Sequence, residues 1–313
     1  MDRHQQIIPR IRLQAGDHGV VGAARFYTDV FRPFEEAGME LGATGATGVS
    51  GTTGPDDGVE LTVAGLHLHL IDAADSPGDA GISPATNFMV NLDPLFFGWS
   101  ADAGEDDRRA ASARTRAVLD TVWEGLVAEG ATVLMPLGEY PFSARYGWVL
   151  DRFGVSWQLM LTDPTGEPRP ALLPSFLFCG PAQNKAREAL ETWTRAFGEV
   201  MDGTEGSGGT DSGAGRTGPG TSVAYREASG PVVEGSVMFA DARLAGLWIT
   251  AMDSGVDQPF TFTDAVAFRV YCDSPVQAEM LRRELGLDSS GTDRFGVRWE
   301  PVAAQRTGSG EAR

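Results

Sequence analysis

The chain is poor in cysteine and histidine: among its 313 residues only Cys179 and Cys272 carry a thiol, and only four are histidine. Two cysteines exclude a disulfide framework at this length, and a pair of buried, reduced, structural thiols is the plain expectation. Basic residues are also outnumbered, 25 against 43 acidic ones, for a net charge of -18. A surface of that sign repels nucleic-acid phosphates and anionic lipid. No apolar run reaches the roughly 18 residues of a bilayer span, and Met1–Arg12 holds no signal-peptide apolar region. The composition thus points to a cytoplasmic protein with neither nucleic acid nor membrane as partner.

What the sequence does have is a repeated phrase. Asp151-Arg-Phe-Gly-Val-Ser-Trp-Gln158 returns as Asp293-Arg-Phe-Gly-Val-Arg-Trp-Glu300. Weaker echoes accompany it: Tyr27–Phe31 with Trp193–Phe197, Phe88–Asn91 with Phe268–Tyr271, and Pro9 with Pro174, each proline opening a short apolar run. Internal similarity of this kind marks a duplication, and the chain divides into homologous halves, 1–168 and 169–313.

Periodicity gives each half the same order of elements. In the first, Ile7–Gln14 reads as a strand, Gly22–Phe34 as an amphipathic helix, and Val59–Val63 with Leu66–Ile71 as a hairpin turning at Ala64-Gly65. Then come strand Thr86–Leu92, helix Ala110–Glu129 behind a solvated insertion Ser100–Arg109, and strands Thr132–Pro136, Ala144–Leu150 and Ser156–Leu161. The second half repeats this with strand Ser175–Cys179, helix Asn184–Val200, strands Ser222–Ala228, Ser236–Ala242 and Leu247–Met252, strand Ala265–Cys272, helix Val276–Leu285 and strand Val297–Val302. Its last unit is shortened and lacks the middle hairpin, so one sheet should be incomplete. The Gly/Ser/Thr/Asp-rich stretch 202–220 has too little apolar surface to order itself and predicts a disordered loop.

Four β-α-β-β-β-like units, the run Tyr146-Gly-Trp-Val-Leu-Asp-Arg-Phe-Gly-Val-Ser-Trp-Gln158, the strand Asn87–Asn91, and Gly235–Ala240 leading to Gly246–Met252 resemble PhnB-like proteins of the vicinal oxygen chelate superfamily. The resemblance implies an α+β fold of tandem β-α-β-β-β units, as in the glyoxalase and bleomycin-resistance proteins, with sheets curled around a cup. It implies here a dimer fused into one chain, an internal pseudo-dimer. The family label, 3-demethylubiquinone-9 3-methyltransferase, implies a methyltransferase. The residues do not carry that activity: the Gly-rich stretch Gly42–Gly58 follows a polar helix end and has no helix behind it, unlike a nucleotide-binding glycine loop.

Metal-dependent members of the superfamily place His or Glu on the first and last strands of each unit. By that resemblance the last-strand positions fall on Gln158 and Glu300, the first-strand positions on Ala85 and Ala265 or near Pro9 and Pro174, leaving His69 and its counterpart Thr250. A divalent ion needs three or four converging donors, so no metal and no cofactor is expected. His67 and His69 share one strand face and could act together on an ion or a proton, or simply hydrogen-bond on a half-exposed surface.

The same parity sets Ser156, Gln158 and Met160 on one face beside Ala85, Asn87, Met89 and Asn91, a mixed polar and apolar wall suited to a small organic ligand. In the second half it aligns Arg269, Tyr271, Arg298 and Glu300. There an Arg269–Glu300 pair either plugs the metal position or presents an arginine fork to an anion. Trp157, Trp299, Phe153 and Phe295 fall to the core, and Asp151 and Asp293 to a turn held by side-chain to backbone bonds. The expected function is small-molecule binding through His67, His69, Asn87, Met89, Asn91, Gln158, Met160, Arg269 and Glu300. The enzyme alternative is a metal-dependent glyoxalase, lyase or isomerase, and the remaining one is the methyltransferase.

Overall fold

The computed structural model describes residues 5–16, 19–36, 58–73, 81–128, 130–164, 169–202, 222–225 and 227–304. Most of the Gly42–Gly58 stretch and of the loop 202–220 lies outside the described residues. The first unit is β1 (Ile7–Leu13), α1 (Gly19–Glu36), β2 (Gly58–Val63) and β3 (Leu66–Asp72). The second is β4 (Thr86–Leu92), α2 (Glu105–Leu126), β5 (Thr132–Tyr140), β6 (Ser143–Leu150) and β7 (Ser156–Leu161). The third is β8 (Leu172–Phe178), α3 (Ala186–Phe197), β9 (Ser222–Tyr225), β10 (Val237–Leu244) and β11 (Leu247–Asp253). The fourth is β12 (Val266–Cys272), α4 (Pro275–Leu285) and β13 (Arg298–Ala303), without a middle hairpin.

Local chemistry accounts for these boundaries. The β2–β3 and β10–β11 hairpins both turn on Ala-Gly pairs with positive φ at both residues, 45° and 81° at Ala64-Gly65 and 43° and 88° at Ala245-Gly246. That is the turn whose twist suits adjoining strands. Helix α4 opens on Ser274, whose hydroxyl accepts from Gln277 N, with Pro275 in its first turn, and closes on left-handed Gly286. Helix α2 begins at Glu105, not at Ala110, which corrects the expected insertion. The acidic first turn Glu105-Asp106-Asp107 suits the positive end of the helix dipole, and Arg109 reaches back to Glu105 and Asp106. Strand β5 continues past Pro136 because it lies at the sheet edge, where a missing N–H is tolerated.

The strands form two sheets, ordered β13-β12-β1-β3-β2 and β5-β6-β7-β4-β8-β11-β10-β9. Neither sheet belongs to one half of the sequence. The first and fourth units pair through antiparallel β1 and β12, the second and third through antiparallel β4 and β8. The two junctions match: Pro9 stands opposite Phe268 in one, Pro174 opposite Phe88 in the other. The shortened fourth unit leaves its sheet with five strands against eight.

One continuous apolar core joins both sheets to the helices. Helix α1 packs on β2 and β3 of the smaller sheet and on α2, while its Tyr27 and Phe31 rings meet Trp157 of the larger. Helix α3 packs on β8, β10 and β11, and its Trp193 meets Trp299 of the smaller sheet. The helix-bearing faces therefore look toward a shared interior, and the other face of each sheet is turned away from it.

The repeated phrase explains itself here. Asp151 is buried, and its carboxylate accepts from Phe153 N, Val155 N, Tyr27 Oη and Trp157 Nε1 at 2.8 to 3.0 Å. Asp293 accepts from Phe295 N, Val297 N, Trp193 Nε1 and Trp299 Nε1 at 2.9 to 3.0 Å. Each aspartate thus holds the turn, as the sequence suggested, and also ties that strand to the helix of the preceding unit, whose own strands lie in the other sheet. Burial raises both carboxyl pKa values, and the four donors around each act against that rise.

Candidate functional site

On the larger sheet the face turned from the helices is set by register. Met89 pairs with Gln158 and Leu173, Asn87 with Ser175, and Ser175 with Thr250. Three neutral polar side chains, Asn87, Ser175 and Thr250, therefore form one row across β4, β8 and β11. All three are sealed from solvent, at 0%, 0% and 2% exposure. Asn87 Oδ1, Ser175 Oγ and Thr250 Oγ1 find no hydrogen-bond partner among the described residues. Buried oxygens are seldom left so, because an unmade hydrogen bond costs about 1–3 kcal/mol.

Beside the row lies a second apolar cluster, Met89, Leu173 and Trp248, with Met160, Phe239 and Met252 packed against it. Arg169 stacks over the Trp248 ring at 4.3 Å while its Nε donates to Asp241 at 2.7 Å. Gln158 accepts from Tyr146 Oη at 2.9 Å and Ser156 from Trp148 Nε1 at 2.9 Å. Asn91 donates at 3.4 Å to the carbonyls of Arg169 and Pro170. Gln158 and Asn91 are thus held by the protein itself; in the row beside them the Asn87 amide donates to Pro84 O at 3.4 Å, and the three oxygens are left over.

On the smaller sheet the equivalent face is charged. By register Arg10, His69 and Ala267 stand where Ser175, Thr250 and Asn87 stand in the other, and Arg269 and Glu300 replace Met89 and Gln158. Glu300 takes Arg10 Nη1 at 2.5 Å and Arg269 Nη2 at 3.3 Å, so the expected Arg269–Glu300 pair forms. His69 Nδ1 accepts from Arg10 Nε at 3.3 Å, and its Nε2 lies against Gly58, where an added Cβ would come within 2.3 Å. His67 Nδ1 is 2.7 Å from Thr62 Oγ1.

The structure therefore divides the residues singled out from the sequence between two sites. Asn87, Met89, Asn91, Gln158 and Met160 share the face of the larger sheet; His67, His69, Arg269 and Glu300 share that of the smaller. No group of three His, Cys, Asp or Glu suited to a metal ion occurs among the described residues. The donor set of a metal-dependent glyoxalase does not fit these faces: Gln158 is held by Tyr146, and His69 is flanked by a guanidinium. Sequence reasoning missed Ser175 and Arg10 as site residues. The alignment of Pro9 with Pro174 was the signal for both, since each is the next residue.

The described residues form an α+β fold of four β-α-β units, three of them extended by a further strand or hairpin, in two sheets. A model of the family 3-demethylubiquinone-9 3-methyltransferase matches residues 110–160, the stretch from within α2 into β7. No curated protein matches the chain. Among solved structures, a PhnB protein from Bacillus cereus is 24% identical over 51% of this chain and 100% of its own, with a TM-score of 0.31. A Pseudomonas aeruginosa protein is 21% identical over 51% and 98%, with a TM-score of 0.29. A glyoxalase I mutant from Zea mays is 11% identical over 95% and 92%, with a TM-score of 0.44. Among the described residues no helix is long and apolar enough to cross a membrane.

Proposed function

We propose that this PhnB-like chain is a metal-free, cofactor-free cytoplasmic binding protein that holds a small, uncharged organic molecule on the helix-free face of the larger sheet. The observation that carries this reading is the buried row Asn87, Ser175 and Thr250, whose oxygens lack partners. The two hydroxyls can donate or accept and the Asn87 carbonyl accepts, so the ligand offers at least one donor and one further polar atom. Its remaining surface rests on Met89, Leu173 and Trp248, the mixture of apolar wall and few polar groups that small-molecule sites use. Arg169 and Asp241 neutralise each other at the edge of that floor, which favours an uncharged ligand. The two halves, 1–168 and 169–313, act as a built-in dimer, and the chain works as a monomer.

The test is a thermal-shift screen of uncharged aromatic and aliphatic compounds bearing hydroxyl or amide groups, with hits titrated calorimetrically against Ser175→Ala and Thr250→Val. Each substitution is expected to weaken a true ligand by about tenfold, one hydrogen bond's worth. If every compound that binds does so equally well to both variants, the row is not the site.

A further inference from the structure

We infer that the ligand of the larger sheet is a lactam, a ring holding a cis-amide, which lies with its polar edge along Asn87, Ser175 and Thr250; this rests on the reading of that face as the ligand site. The row has definite ends. On β7 its next member by register, Ser156, already accepts from Trp148 Nε1 at 2.9 Å, and on β10 Asp241, opposite Thr250, already accepts from Arg169 Nε at 2.7 Å. Between those ends stand three side chains on neighbouring strands, at intervals of about 5 Å, with their oxygens unpartnered. Apolar side chains border the row on both sides, Met89 and Leu173 on one, Leu177 and Met252 on the other. Such a stripe fits a molecule that is polar along one edge and apolar elsewhere, which is the shape of a small ring.

The order of donors and acceptors selects the amide. Pro84 O can only accept, so the Asn87 atom that meets it is Nδ2, and what remains for the row at that end is Oδ1, an acceptor. The ligand must bring an N–H or O–H there. Ser175 and Thr250 each have a hydrogen to give, and one carbonyl oxygen, with two lone pairs, takes both. A donor beside a twofold acceptor is the edge of a cis-amide, whose N–H and C=O point the same way. In an open-chain secondary amide the trans form is favoured and the two groups point oppositely; closing the ring removes that choice. A lactone or ketone offers nothing to Asn87. A lone hydroxyl would have to reach Asn87 and Thr250 from one atom across two strand spacings. The row is sealed from solvent, so a protein oxygen that faces a ligand atom of the wrong kind has no water to turn to, and mismatches weaken binding strongly. Met89 and Met252, unbranched thioethers beside the row, are the side chains that shift most readily to admit a ring.

The experiment compares compounds of one shape by calorimetry on the full chain: carbostyril, a lactam; N-methylcarbostyril, whose N–H is blocked; and coumarin, with a ring oxygen in its place. The pair δ-valerolactam and δ-valerolactone repeats the comparison with a smaller body, while acetanilide and naphthol supply an open-chain amide and a lone hydroxyl. In at least one series the lactam is expected to bind at least tenfold more tightly than its N-methyl or lactone counterpart, acetanilide or naphthol. Asn87→Leu, which keeps the bulk of the side chain, should erase the preference for lactam over lactone; lost packing alone would weaken both members of a pair equally. Should that variant fail to fold, the comparison on the unaltered chain decides the matter. The inference is overturned if a counterpart binds as tightly as the lactam in both series, if the preference survives Asn87→Leu, or if neither lactam binds. The reading of the face as a ligand site falls on a different result, indifference of every bound compound to both Ser175→Ala and Thr250→Val, so the two failures are told apart.

Discussion

Replacing Thr250 by valine should make the protein more stable and a worse binder. The substitution keeps the shape and deletes an Oγ1 that is buried and unpartnered. Such a hydroxyl costs roughly 1–3 kcal/mol to bury, and valine also gains from contact with the apolar floor, so a net gain of about 1 kcal/mol is a cautious figure. Unfolding entropy is roughly 2.1 cal/mol/K per residue, or about 0.66 kcal/mol/K for 313 residues. The melting temperature should therefore rise by about 1.5 °C in differential scanning calorimetry. Thr115→Val is the control, because Thr115 is equally buried but donates to Ala111 O at 2.8 Å. It should lose about 0.5–1 kcal/mol. If Thr250→Val melts below the unaltered chain, that hydroxyl has a stabilising partner in solution, and the row loses its meaning as a ligand signature.

Asp151→Asn puts an amide donor among groups that already donate, and should cost about 2 kcal/mol at about pH 7 in urea titrations; Asp293→Asn should match it, since its four partners are equivalent. Burial raises the folded pKa of both aspartates above the usual carboxylate range, so the native state keeps these protons longer than the unfolded chain. Their stabilising effect is then greatest in acid and is lost as pH rises through the folded value. Accordingly the Asp151→Asn penalty should be larger near pH 4 than near pH 7, and a penalty that shrinks in acid would contradict the burial argument. Gly147→Ala should cost about 1–3 kcal/mol, because its Cβ would sit 2.5 Å from the Trp123 ring; an unchanged urea midpoint would show that the ring moves aside freely. Burial pushes the thiols of Cys179 and Cys272 up to about 12 and about 11, so a thiol reagent at about pH 8 should label neither until the chain unfolds.

Much of the fold was legible because local signals agreed with one another. The hairpin at Ala64-Gly65, strands Thr86–Leu92 and Ser156–Leu161 and the shortened last unit stand where alternation placed them. The start of α2 was not, since Glu105-Asp106-Asp107 reads as a solvated loop until the helix dipole gives acidic residues a reason to begin a helix. The pairing of units across the halves was also hidden. Periodicity tells which face a residue occupies, not which edge strand it will meet, and β1 finds β12 more than two hundred residues away. For that reason His69 and Asn87, close in sequence, stand on different sheets, while Arg10 and Glu300, at opposite ends of the described chain, share an ion pair. Ser175 escaped notice as a site residue because a lone serine in an apolar strand says nothing until its neighbours across the sheet are known.

Joining the two halves in one chain has a consequence for what the molecule can become. In an assembly of two identical chains, every substitution is made twice, and a residue placed on one sheet is forced onto its twin. With both copies encoded in tandem that symmetry is released. Asn87 can be an amide where Ala267 is a methyl, and Met89 a thioether where Arg269 is a cation. The aspartate ties at 151 and 293 stay the same in both halves because they hold the structure together. The outward faces carry no such obligation, and each has been free to take up its own chemistry.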